Sequence, residues 1–139
     1  MVDLELVPNK EKHWEFIREL RTMEGVSQGF VEQESITAEQ QQEYMKQFNN
    51  NFYICLYKSE PAGYIGIIEN DIRVATHPRF QGKGVGSFMV NRVVEMHPDA
   101  YAKVKIDNLA SYNLFKKCGF KVSQFVSEKY YVLERDNAS

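Results

Sequence analysis

The sequence predicts an α/β (α+β) domain built on one mixed, mostly antiparallel sheet of six to seven strands with about four helices. Three observations carry this expectation. Residues 52–76 fall into three runs of β-branched and aromatic residues broken by turn formers, which reads as a meander. Three other segments repeat apolar residues every three to four positions, the spacing of a helix, and a fourth, more polar one opens on a capping box. Along the chain these follow as strand, two helices, three strands, helix, strand, helix, two strands.

Residues 2–7 alternate as a short strand that Pro8-Asn9 punctuates. Residues 10–23 bring Trp14, Ile17 and Leu20 to one side, a helix whose tryptophan belongs in the core. Residues 24–36, with Gly25, Ser27 and Gly29, show no steady period and read as an irregular connection, where function often sits. Thr37 with Gln40 three residues later forms a capping box for a polar surface helix at 38–48. The meander strands are 52–57, 62–69 and 72–76, with turns at 58–61 and 70–71. The third stops at His77-Pro78 because proline lacks the ladder N–H. Residues 87–96 carry Phe88, Met89, Val90, Val93 and Val94 on a broad apolar face and end at His97-Pro98. A strand at 101–106, a helix at 108–118 capped by Gly119, and strands at 120–126 and 129–133 follow, with 135–139 a loose tail.

With 139 residues there is room for one core and little more, so residues 1–139 form a single domain. The composition, 43% hydrophobic and 26% charged, is far from the disordered extreme, so the chain folds unaided. A net charge of -2 with dispersed Lys and Arg excludes a duplex nucleic acid partner. Cys55 and Cys118 lack CxxC spacing and sit among apolar neighbours, so both read as free, buried thiols. No basic segment precedes an apolar run at the N-terminus and no stretch reaches membrane-spanning length, which makes the cytoplasm the expected compartment and a membrane no partner.

The chemistry concentrates at Gln81-Gly82-Lys83-Gly84-Val85-Gly86, a glycine-rich turn between a strand and a helix. Such a junction offers unsatisfied N–H groups and the positive end of the helix dipole, and so binds anions. Glycines let a pyrophosphate reach the backbone and permit positive φ, while Lys83 adds charge. Spacing separates the phosphate loops. A P-loop needs Ser or Thr after GK, but Gly84-Val85 follow Gly82-Lys83; a dinucleotide fingerprint needs GxGxxG, but Ser87 takes the third glycine's place.

The hexapeptide instead resembles the (Q/R)xxGx(G/A) signature of the GNAT superfamily of acyl-CoA N-acyltransferases. Thr76-His77-Pro78-Arg79-Phe80 before it is similar to that family's VxPxxR approach. Asn108-Leu109-Ala110-Ser111-Tyr112-Asn113-Leu114-Phe115-Lys116-Lys117-Cys118-Gly119-Phe120 resembles its NxxAxxLYxKxGF. The resemblance implies two parallel strands splayed around acetyl-CoA as cosubstrate. It implies that the backbone of Val74, Ala75 and Thr76 holds the pantetheine arm, and that Gln81, Gly82, Lys83, Gly84, Val85, Gly86 and Ser87 hold the pyrophosphate. Asn108 would meet the pantetheine, or cap its helix, or both.

The implied reaction is acetyl transfer to a primary amine of a small molecule, an amino sugar or a protein, by direct attack on the thioester. It needs a base, an oxyanion donor and a proton for the departing thiolate. Many members place a Tyr where this chain has Phe115, a cofactor-contacting position that cannot donate a proton. Three explanations stand: a thiolate leaving unaided, since a thiol pKa of about 8.5 makes a tolerable leaving group; Tyr112 one turn earlier as substitute; or a catalytically silent acyl-CoA-binding regulatory domain. The first is favoured. Glu69, Asp71 and His77 flank the strand beside the thioester as candidate bases. No metal is expected, because His13, His77 and His97 share no ligand spacing. The acceptor would meet residues 24–36, where Glu24, Glu32 and Glu34 could attract a cation. The stretch from Arg21 to Tyr44 resembles GNAT enzymes acting on amino-sugar nucleotides. The chain is expected to be a monomer or a homodimer.

Overall fold

The computed structural model describes residues 3–23, 37–125 and 128–135. The expected connection at 24–36, with Glu24, Glu32 and Glu34, lies outside the described residues, as do 136–139. Seven strands, β1 (Leu4–Pro8), β2 (Phe52–Tyr57), β3 (Glu60–Ile68), β4 (Asp71–Thr76), β5 (Tyr101–Lys105), β6 (Phe120–Phe125) and β7 (Tyr130–Arg135), form one sheet in the order β1-β2-β3-β4-β5-β7-β6. Four α-helices are described: α1 (Trp14–Thr22), α2 (Ala38–Phe48), α3 (Val85–Met96) and α4 (Leu109–Lys117). All strand neighbours are antiparallel except β4 and β5.

The strands' period of two divides their side chains between two cores. On one face, Ile65, Ile67, Ile72, Ala102 and Val104 pack with Met89, Val90 and Val93 of α3 and Phe115 of α4. On the other, Phe52, Ile54, Tyr64 and Ala75 pack with Ile17 and Leu20 of α1 and Met45 of α2. The sheet is therefore the middle of three layers. Gly63 lets α3 approach the sheet: a Cβ there would lie 2.7 Å from the Ala75 carbonyl oxygen of β4 and 2.9 Å from Met89 Cε of α3.

The capping box forms as expected, with Gln40 N–H donating to Thr37 Oγ1 at 3.1 Å and Thr37 N–H to Gln40 Oε1 at 3.0 Å. The helix it opens is not merely a surface helix, since Gln41 and Met45, four residues apart, are fully buried. Trp14 is half-buried at the edge of the core, where its indole N–H donates to Asn49 Oδ1 at 2.8 Å. A 3₁₀ turn at Glu11–His13 precedes α1, which begins later than the spacing suggested.

Both hairpin turns differ from expectation. Lys58 and Ser59 (φ 49° and 71°) join β2 to β3 directly, so Pro61 lies inside β3, beside a bulge at Cys55/Leu56 where a missing ladder N–H is tolerated. Glu69 and Asn70 (φ 53° and 68°) join β3 to β4, which moves Asp71 from the turn into the strand, opposite Ile68. Paired positive φ values are the mirror-image turns whose twist matches that of the strands. Arg135, expected in the tail, pairs with Phe120 as the last residue of β7.

Candidate active site

β4 and β5 share one register pair, Asp71↔Tyr101, with Tyr101 N–H donating to the Asn70 carbonyl at 2.8 Å. Beyond this pair the two parallel strands separate, and a cleft opens toward their C-terminal ends. Which groups of β4 face the cleft follows from the alternation of backbone polar groups along a strand. His77 N–H donates to the Ala62 carbonyl of β3 at 2.8 Å, whereas the Asn70 carbonyl turns to β5. Odd-numbered residues of β4 therefore direct their N–H and C=O groups to β3. Ile72, Val74 and Thr76 direct theirs toward β5, and beyond the one register pair those of Val74 and Thr76 face the cleft. Of the three expected cofactor contacts on this strand, Val74 and Thr76 have backbone groups facing the opening, and those of Ala75 turn toward Tyr64 on β3.

At the C-terminal end of β4, a 3₁₀ turn at Pro78–Phe80 and four turn residues, 81–84, lead into α3. Helix α3 begins at Val85, earlier than its apolar face indicated, with Gly84 as N-cap at φ 81°. Its first i→i−4 bond runs from Phe88 N–H to the Gly84 carbonyl at 3.0 Å, leaving the N–H groups of Val85, Gly86 and Ser87 without a preceding helical acceptor. Gly82 also has φ 81°, and a Cβ built at Gly82 or Gly84 would meet nothing within 4 Å, so the space beside this backbone is open. The geometry fits an anion such as a pyrophosphate. Gly86 serves packing instead, because a Cβ there would lie 3.2 Å from Leu114 of α4. Gln81 and Lys83 are exposed, and Lys83 Nζ lies 5.6 Å from the Tyr57 ring centroid. Lys83 and Tyr57, together with Asp3, Leu4 and Phe88, line a cleft of about 360 Å³.

The far wall of the main cleft is β5 and the start of α4. Asn108 caps α4: its Oδ1 accepts from Ser111 N–H at 3.2 Å and its Nδ2 donates to Ser111 Oγ at 3.0 Å. Ile106 and Leu109 flank it, the latter 66% exposed, an apolar pair at the mouth that the helical spacing hid. At the other end of α4, Gly119 (φ 93°) ends the helix as expected. Phe115 is buried against Phe120, ring centroids 5.1 Å apart. Tyr112 is half-buried and packs on Tyr131 at 5.7 Å.

The candidate bases stand apart. Glu69 is exposed at the hairpin tip beside the closed end of the cleft. Asp71 is buried, not a solvated turn acid, and its Oδ2 lies 3.6 Å from Arg73 Nη2 and 3.9 Å from Lys103 Nζ. His77, at the loop end, accepts from Arg79 N–H through Nδ1 at 3.1 Å, which commits that lone pair and puts the neutral ring's proton on Nε2. Burial pushes the Cys55 thiol up to about 11; it also raises Cys118, against a hydrogen bond with Ser87 that lowers it. Neither cysteine is an activated nucleophile. Among the described residues no three His, Cys, Asp or Glu side chains form a metal-binding group, and no helix is long and apolar enough to cross a membrane.

Residues 14–120 match the family model for the Acetyltransferase (GNAT) family. Among solved structures, the spermidine N-acetyltransferase from Vibrio cholerae in complex with CoA and spermine superposes with a TM-score of 0.78 at 17% identity, over 95% of this chain and 92% of that one. A domain from Methanocaldococcus jannaschii reaches 0.82 at 17% identity, over 94% and 96%. The apo form of YjaB from Escherichia coli reaches 0.64 at 20% identity, over 96% of each chain. At these identities the likeness is one of fold. A search of curated proteins finds no match.

Proposed function

Because the chain belongs to the GNAT acetyltransferase family, whose model spans residues 14–120, we propose that it is an N-acetyltransferase moving the acetyl group of acetyl-CoA to a primary amine by direct attack. The observation that carries this is the juxtaposition of an open glycine loop at the start of α3 with parallel strands that separate after one pair. When bound, acetyl-CoA supplies a thioester as the electrophile.

The N–H groups of Val85, Gly86 and Ser87, with Gly82, Gly84, Gln81 and Lys83, would hold its pyrophosphate. Backbone groups of Val74 and Thr76 would hydrogen-bond the pantetheine like an added strand, with Asn108, Ile106 and Leu109 on the other wall. A cleft-facing N–H of β4 would serve the oxyanion. Phe115 offers no proton and the Tyr112 ring packs on Tyr131, which supports the reading that the thiolate leaves without a protein acid. Asp71 serves two cations and His77 Nδ1 serves a turn, so the amine's proton passes to water, with Glu69 at the hairpin tip to receive it. The two free thiols support a reducing, cytoplasmic setting.

Acetyl-CoA should raise the melting temperature, since a ligand at 100 times its Kd adds about 2.7 kcal/mol to the native state. Thiol release across a panel of amines then tests transfer. A second reading, a catalytically silent acyl-CoA-binding domain, is favoured by Phe115 alone; stabilisation by acetyl-CoA without thiol release on any amine would select it.

A further inference from the structure

On the α1/α2 side of the sheet, opposite the glycine loop, two arginines distant in sequence converge on one tyrosine. The Arg21 guanidinium of α1 lies over the Tyr44 ring, 4.9 Å from its centroid, and Arg73 Nη1 of β4 donates to the Tyr44 hydroxyl at 3.2 Å. Arg21 also donates to Gln41 Oε1 at 3.3 Å, and the buried Gln41 is oriented by its own donation to the Trp14 carbonyl. Arg21 is thus held by a ring face and an amide oxygen, and among the described residues no carboxylate lies within 4.0 Å of it.

The other cations share one anion. Asp71 lies within 4.0 Å of both Arg73 and Lys103, the latter on β5 across the closed end of the cleft. Among the described residues, Asp71 is the carboxylate found within 4.0 Å of any of these three cations. Arg73 remains 43% exposed on the strand that borders the cleft, so its guanidinium can still take a ligand. Guanidinium groups are matched to the paired oxygens of carboxylate and phosphate, and a cluster held by neutral groups keeps its donors for such a ligand. A polycation would meet repulsion here.

We propose that this cluster recognises an anionic group on the acceptor, so that the amine acetylated by this chain carries a carboxylate or a phosphate, with Arg73 and Arg21 as its anchors. The substrate class rests on the acetyltransferase function proposed above; the anion site does not. Paired acceptors separate the two: phenylalanine with phenethylamine, and phosphoethanolamine with ethanolamine, each assayed by thiol release, with spermine as the polycation.

The expected result is that at least one anionic member exceeds its uncharged partner tenfold or more in kcat/KM, and which pair does so distinguishes carboxylate from phosphate. Arg73→Gln and Arg21→Gln should each raise the KM of that acceptor about tenfold, leave the KM for acetyl-CoA unchanged, and melt within a few degrees of the parent; Arg73→Lys should recover part of the loss. Preference for the uncharged amines or for spermine, or an unchanged KM in both glutamine variants, overturns the proposal. If acetyl-CoA neither binds nor turns over, the acetyltransferase function fails, and calorimetry of the two anionic amines with the protein alone decides the site. Saturable binding lost in Arg73→Gln retains it, and no binding removes it.

Discussion

Individual residues divide into those whose role lies in their backbone and those whose role lies in their neighbours. Gly84 is of the first kind, at φ 81° with open space around it, so a side chain there costs conformational energy but causes no collision. Gly84→Ala should lose about 1 kcal/mol, seen as a drop of a few degrees in the melting temperature, and should also shrink the shift produced by acetyl-CoA. Tyr112 is of the second kind. Its ring packs on Tyr131, so Tyr112→Phe should keep kcat within about twofold; a loss of the order expected for a general acid, about a hundredfold, would make its hydroxyl the donor that Phe115 lacks. The glycines were legible in the sequence because a tight anion-binding turn needs them wherever it occurs. The positions of the bases were not, since Lys58, Ser59, Glu69 and Asn70 adopt positive φ without the glycine that usually announces it, and the shifted frame put Asp71 into a strand.

At the level of elements, caps and close approaches set the cleft's walls. Asn108 ends the gap after β5 by capping α4, and the same side chain is a proposed pantetheine contact. Asn108→Asp separates these roles, because Asp caps as well as Asn but lacks the amide donor. Unfolding free energy should stay within about 0.5 kcal/mol, while the KM for acetyl-CoA rises severalfold. β3 and α3 meet at Gly63, where a Cβ would press on a backbone carbonyl that cannot rotate away. Gly63→Ala should cost about 1–3 kcal/mol in denaturant unfolding. Helix α2 shows how far amphipathic spacing reaches. Its capping box was fully legible, yet its burial was understated, because Gln41 is polar and is buried by hydrogen bonds to Arg21 and Trp14 that no periodicity reveals.

For the molecule as a whole, the sheet between two helical layers isolates both thiols. Burial makes Cys55 hold its proton more tightly in the folded state than an exposed thiol does, its pKa pushed up to about 11. The stability this contributes is complete below pH 9 and is lost as the pH rises toward 11. The melting temperature should therefore fall more steeply over that window in the parent than in Cys55→Ala; equal slopes would mean that the thiol ionises without cost. The sequence by itself determined the layered α/β architecture, the glycine loop and the helix caps, because each depends on residues a few positions apart whose propensities and hydrogen bonds act locally. Only the tertiary structure decided which backbone groups of β4 face the cleft, and that Arg21, Tyr44, Arg73 and Lys103 meet on one side of it. Strand register and helix packing bring these residues together across the sheet, and those are set by burial of the whole core, which no single segment specifies.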